Sequence, residues 1–219
     1  MVQVKSEHYQ KNYITADRFQ LYNSIVQACL KYECNEILEI GIGQGIVSHT
    51  LKFVGKKMYC ADFDLNLNPD VSMDIRQLPF KNDSFDMIIA SQVLEHIPFG
   101  DFKKSLVELR DCSKKYVIIS VPYNQHFLSF RIDLKINKYL RFRGQLNRFL
   151  KRIFPANIYL GLPQTHRHFK FDGEHYWEIG YKEFPLIKVK NVINECFKIL
   201  DDFRVELSPY HYIFILEKK

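Results

Sequence analysis

Three glycines at every second position stand in Glu39-Ile40-Gly41-Ile42-Gly43-Gln44-Gly45, after an acidic residue and ahead of a helical stretch. A loop of this kind between a strand and a helix brings main chain close to a ligand and aims helix N-terminal amides at it. The dinucleotide fingerprint needs glycine or alanine at the sixth place of G-x-G-x-x-G, and here that place is Ile46. The Gly-Lys-Ser/Thr of a phosphate-cradling loop is missing as well. Two further groups could do chemistry. His96 follows Leu94-Glu95, and HRHFKFDGEHYWEIG (166–180) gathers His166, His168, Asp172, Glu174, His175, Trp177 and Glu178 around a glycine. Imidazoles titrate near neutrality and chelate readily, so these groups suit a base or a metal; a solvated loop whose aromatics pack on the core would contain the same residue types. His96, His175 and Tyr123 are the candidates for direct chemistry. His126, His166, His168, Glu174 and Trp177 are the candidates for an acceptor pocket, with the indole suited to stacking on a ring, sugar or base.

The pattern Glu39-x-Gly41-x-Gly43-x-Gly45 resembles motif I of the class I S-adenosylmethionine-dependent methyltransferases. Asp62 follows Gly41 by 21 residues (62 − 41), matching the carboxylate that accepts both ribose hydroxyls, and Phe63 stands where the family often packs adenine. Asp74 and Ile75 match the adenine-contacting pair, and Ser91 and Gln92 fall at the end of the fourth strand. The match covers roughly residues 35 to 123 plus the terminal hairpin. It implies S-adenosyl-L-methionine as cofactor and a Rossmann-like, seven-stranded, mostly parallel sheet. Some quinone-biosynthesis relatives bind a divalent metal through Glu-x-x-Glu-His at this turn. Here the first position is Gln92, so no metal is expected.

Some acceptors are excluded by what is missing. Amino-group methylation of nucleobases and glutamine in this superfamily uses Asn/Asp-Pro-Pro-aromatic at the fourth strand's end, where Ala90-Ser91-Gln92-Val93 stands. Cytosine C5 methylation needs a cysteine near the fourth or fifth strand end, and Cys112 lies in a predicted helix. The insertion and the GEHYWEIG loop look like those of methyltransferases of surface-glycan and specialised small-molecule pathways, which implies methylation of a sugar or phosphate oxygen. The rivals are an RNA methyltransferase and a non-catalytic S-adenosylmethionine-binding subunit.

The elements that must position these residues are legible as alternation. Residues 16–33 carry apolar residues at helical intervals. EILEI (36–40), KMYCA (57–61), FDMIIA (85–90) and YVIISV (116–121) are short apolar runs typical of parallel strands buried on both faces. Helices are expected at 45–54 and at 102–112, the latter with Asp101 as N-cap. After a helix at 186–198, strands near 200–207 and 211–217 form an antiparallel hairpin turning at Ser208-Pro209. The whole reads as one domain, 1–219: an N-terminal helical segment (1–34), a cofactor-binding half (35–123), an insertion (124–180) and the final helix and hairpin (181–219).

The insertion is basic. Residues 124–170 carry ten cations and one anion, so the rest of this +6 chain sums to 6 − 9 = −3. Cations alternating with apolar residues over 133–154 predict an amphipathic helical lid around 130–153. The cationic face suits an anionic, phosphorylated or nucleotide-linked acceptor, peripheral contact with an anionic membrane, or, ranked last, RNA. Five scattered cysteines without a Cys-x-x-Cys pair favour a reducing cytoplasm over a disulfide framework. No apolar stretch approaches the roughly 18 residues of a membrane span.

Overall fold

The computed structural model describes residues 13–125, 127–131, 157–161 and 167–219. The chain divides into two compact units, one of 1–124 with 166–219 and one of 125–165. The GEHYWEIG stretch, grouped with the insertion on composition, therefore belongs to the first unit.

That unit is built on a seven-stranded sheet with order β3-β2-β1-β4-β5-β9-β8. The strands are β1 (Glu36–Ile40), β2 (Lys57–Asp62), β3 (Val71–Ser72), β4 (Phe85–Ser91), β5 (Ser113–Pro122), β8 (Phe197–Val205) and β9 (Ser208–Lys218). The first five are parallel, and β9 runs antiparallel between β5 and β8. Central residues such as Ile88, Ile89, Val117 and Ile118 have no exposed surface, because helices cover both faces. Helices α1 (Ala16–Lys31) and α2 (Ile46–Phe53) bury Leu21, Ile25, Val47 and Leu51 on one side. On the other, α3 (Phe99–Cys112) and α4 (Leu186–Cys196) bury Phe102, Leu106, Val189 and Ile193. The five cysteines are free and buried, and among the described residues no helix is long and apolar enough to cross a membrane.

Register is what assembles the site. Ile40 pairs with Ala61 on one side and Ala90 on the other, so Gly41, Asp62 and Ser91 stand abreast at the carboxyl edge of the sheet. This is where open α/β sheets take their ligands.

Three expectations shift. Helix α3 begins at Phe99 after Pro98, so Asp101 lies in its first turn and is not the N-cap; its carboxylate accepts from Arg76 instead. The terminal hairpin turns at Glu206-Leu207, with Leu207 at φ 63°, and Ser208 and Pro209 already belong to β9. In the second unit, β6 (Phe127–Arg131) and β7 (Asn157–Gly161) form an antiparallel ladder from Phe127↔Gly161 to Arg131↔Asn157. Residues 130 and 131 are thus strand where the pattern predicts helix, and the rest of the expected helix, 132–153, lies outside the described residues.

Candidate active site

A cavity opens at the carboxyl edge between the glycine loop, the ends of β2 and β4, and the start of α1. It is lined by Glu39, Gly41, Gly43, Asp62, Phe63, Ile75, Ser91, Gln92 and His96, and also by Tyr13, Arg18, Tyr22, Met73 and Val93. Gly41 has φ +77°, and a Cβ built on it would lie 2.2 Å from Val93 Cγ2. Only glycine fits there. Gly45, at φ +69°, caps α2 with no side-chain hydrogen bond of its own.

Asp62 stitches the site together: Oδ2 accepts from Ile42 N–H at 2.9 Å and Oδ1 from Asp64 N–H at 2.9 Å. Burial nevertheless pushes its carboxyl above the ordinary aspartate value. A carboxylate's two oxygens offer about four lone-pair sites, so capacity remains for hydroxyls beyond these N–H groups. Glu39 is more extreme. Desolvation lifts it to about 8, a hydrogen bond from Ser48 opposes the rise, and the Asp62 charge adds to it. Its Oε2 is buried with no hydrogen-bond partner. A buried carboxylate with an orphaned oxygen facing a cavity suits a cationic group in the ligand. Arg18 brings a positive charge to the same cavity, held over the Tyr13 ring at 3.6 Å and hydrogen-bonded to Tyr22. At the end of β4, Ser91 Oγ lies 2.8 Å from Ser120 Oγ, and Gln92 Nε2 donates to Ser120 Oγ at 3.2 Å. Gln92 takes a left-handed φ of 56°, a strain of order 1 kcal/mol placed at the cavity.

His96 forms the wall beside Val93, and a second segment is laced onto it. Tyr176 N–H donates to Glu95 O at 2.8 Å, and Trp177 Nε1–H donates to Leu94 O at 3.1 Å. His96 Nδ1 meets Glu174 O at 3.1 Å, which requires that nitrogen to carry the proton. The His96 and His175 rings then stand edge-to-face with centroids 5.0 Å apart. His175 Nδ1 lies 2.7 Å from Glu178 Oε1, which also accepts from Tyr210 O–H at 2.7 Å. The neighbouring carboxylates of Glu178, Glu95 and Asp172 outweigh burial and raise His175 above the ordinary histidine value. Glu95 itself has no exposed surface.

Not every expected residue lies at the cavity. Trp177 is fully buried, packed on Phe99 and Phe102 at 5.1 and 4.9 Å, with its one N–H already used. It cannot stack on an acceptor; it locks the 94–96 turn to the 174–178 segment. Asp74 is not among the lining residues, and Arg76 holds its carboxylate at 2.6 Å, leaving Met73 and Ile75 to line the cavity there. His168 is exposed and paired with Glu183 at 2.6 Å. Tyr123 is also absent from the lining; its ring lies beneath the Arg204 guanidinium at 3.5 Å, against Tyr212. Glu174 contributes its backbone carbonyl to His96. His126 and His166 lie outside the described residues. The pattern of residue types missed Arg18 and Tyr13, which carry no motif, and gave no sign that Glu95 and Glu178, both named in it, are buried.

Residues 14–157 match the methyltransferase domain family, and the chain belongs to it. The fold is shared with solved structures: the PH0226 protein of Pyrococcus horikoshii OT3 (TM-score 0.57, 14% identity, 99% of this chain and 100% of that one). It is shared too with magnesium protoporphyrin IX methyltransferase of Synechocystis PCC 6803 with bound S-adenosylhomocysteine (TM-score 0.59, 13% identity, 97% and 92%). A third is the 1,6-didemethyltoxoflavin-N1-methyltransferase of Burkholderia thailandensis (TM-score 0.60, 14% identity, 98% and 84%). No curated protein sequence matches. The protein is a methyltransferase, and its cofactor is S-adenosyl-L-methionine. The cavity fits that molecule: an orphaned carboxylate oxygen on Glu39 for its ammonium, Asp62 for its hydroxyls, apolar Met73 and Ile75 for its base, and no room for a side chain at 41.

Proposed function

We propose that the protein methylates an oxygen of a small acceptor that is anionic or glycosylated. When bound, the cofactor supplies a methyl group already activated on a sulfonium, so the chain's task is alignment and exclusion of water. Positioning can contribute about 7–11 kcal/mol in the best cases. Glu39, with its unpartnered oxygen, and the Arg18 guanidinium both line the cavity and suit the ammonium and carboxylate of the cofactor's amino-acid end, while Asp62 suits the ribose. This leaves the sulfonium facing Val93 and His96.

The observation that carries the choice of oxygen is the His96–His175 pair. Each ring has Nδ1 engaged, by the Glu174 carbonyl and by the Glu178 carboxylate, so Nε2 is the free atom of each. Two imidazoles fixed in this way serve to draw a proton from an approaching hydroxyl, an assistance worth about 10² to 10⁴ in rate. The ten cations among residues 124–170 favour an acceptor bearing phosphate or carboxylate, and a sugar or phosphate oxygen fits both features. The test is incubation with S-adenosylmethionine labelled on its methyl carbon and a small-molecule extract of the source cells. Carbon NMR of the labelled product should show a methyl ether or ester; a methylamine would overturn the choice of oxygen, and label confined to RNA would overturn the acceptor class.

A further inference from the structure

We propose that Glu178, steadied by Tyr210, is the positioning residue that makes His175 the final proton acceptor of the histidine pair. On the oxygen-methylating reading, on which this role rests, methyl transfer moves a positive charge. The oxygen–carbon bond forms as the sulfur–carbon bond breaks, the sulfonium sulfur becomes a neutral thioether, and the hydroxyl proton leaves a cation on the imidazole that takes it. What faces Nδ1 of each ring decides which of the two bears that charge at lower cost. His96 Nδ1 faces a neutral peptide carbonyl, Glu174 O, at 3.1 Å. His175 Nδ1 faces a carboxylate, Glu178 Oε1, at 2.7 Å. A hydrogen bond to an ionised acceptor is roughly twice as strong as a neutral one, and a cationic donor strengthens it again.

The Glu178 carboxylate is held from three elements. Tyr210 O–H, on β9, donates to the same Oε1 at 2.7 Å. On one side of Glu178 the buried Trp177 indole donates to Leu94 O at 3.1 Å, and on the other Ile179 N–H donates to Pro122 O, at the end of β5, at 3.0 Å. Oε2 is buried with no hydrogen-bond partner, so the charge of Glu178 is compensated through Oε1 alone, by Tyr210 and His175. Among the described residues, the groups facing His175 are Glu178 and Asp172 from its own segment, Asp172 Oδ2 lying 3.9 Å from Nδ1, and Glu95 and the His96 ring from the 94–96 turn. Burial disfavours the cation, the three carboxylates outweigh it, and the ring holds its proton to a pH above the ordinary 6.5. With 17% of its side chain exposed, His175 is still reachable from outside.

The first test is an NMR titration of the histidine ring protons in the full chain with S-adenosylhomocysteine bound, the His175 signal being the one missing in His175→Ala. His175 should titrate above pH 6.5 in the wild type and lower in Glu178→Gln, with Tyr210→Phe between the two. An unchanged titration in Glu178→Gln would overturn the role of Glu178. The second is the pH profile of label transfer from methyl-labelled S-adenosylmethionine into the small-molecule extract. A base accepts a proton only when neutral, so turnover should rise with pH through the His175 titration. In Glu178→Gln that rise should move to lower pH and level off about tenfold lower or more, with Glu178→Asp recovering part of both. A rise unmoved in Glu178→Gln, or one that survives in His175→Ala and vanishes in His96→Ala, would overturn the proposal. S-adenosylhomocysteine affinity within about twofold of wild type, by calorimetry, reports folding of each variant. A methylamine product from protein whose His175 titration does shift overturns the oxygen reading, whereas an O-methyl product with an unshifted titration overturns only the role of Glu178.

Discussion

Glu39→Gln isolates the electrostatic cost of the cofactor cavity. In the free protein burial holds the Glu39 proton up to about pH 8, against 4.5 for an ordinary glutamate. Between those values the folded chain keeps a proton that the unfolded chain has lost, so the contribution to stability falls as pH rises from 4.5 to 8 and is constant beyond. The displacement is 8 − 4.5 = 3.5 pH units. At about 1.4 kcal/mol per unit it corresponds to roughly 5 kcal/mol, an upper bound for a cavity open to water. Glutamine keeps the shape and removes the titration. Differential scanning calorimetry without cofactor should therefore find the two proteins similar at pH 5, and the variant more stable at pH 8.5 by about 5 °C or more. A melting difference independent of pH would refute the assignment of a strained, cation-seeking carboxylate. The same variant should bind S-adenosylmethionine at least tenfold more weakly at pH 8.5, where wild-type Glu39 is ionised.

Gly41→Ala places a methyl 2.2 Å from Val93 Cγ2 at a φ of +77°, so cofactor affinity should fall by at least a hundredfold; Val93→Ala added to it should recover part of the loss, measured by calorimetry. Asp62→Asn should weaken S-adenosylhomocysteine binding by tenfold or more, because the neutral amide presents only one acceptor oxygen among Ile42 N–H, Asp64 N–H and the ribose. Trp177→Ala should cost about 3–5 kcal/mol in urea unfolding, since it empties a fully buried site and frees the 94–96 turn. His96→Ala and His175→Ala should each lower turnover at least tenfold with cofactor affinity within twofold, read by label transfer and calorimetry.

The parallel core was legible because each strand is short, apolar and bounded by turns: EILEI, for example, is β1 residue for residue. The glycine loop and Asp62 were legible for a related reason, since register alone sets Gly41 beside the end of β2. What could not be read was contact between segments far apart in the chain. Trp177 looks like a stacking residue until Leu94 and Phe102 are seen around it, and Glu95 looks like a solvated turn residue until its burial is seen. Asp101 had the side chain of an N-cap, but Pro98 had already turned the chain into the helix three residues earlier. Arg18 faces the cavity only because α1 packs beside the glycine loop, which no local pattern encodes.

The decisive measurement is a crystal structure with S-adenosylhomocysteine bound in the cavity. The amino-acid end should lie between Glu39 and Arg18, the ribose hydroxyls on Asp62, the adenine over Met73 and Ile75 beside Phe63, and the sulfur facing His96. Density in the reverse orientation, or with the sulfur turned away from His96 and His175, would contradict this placement.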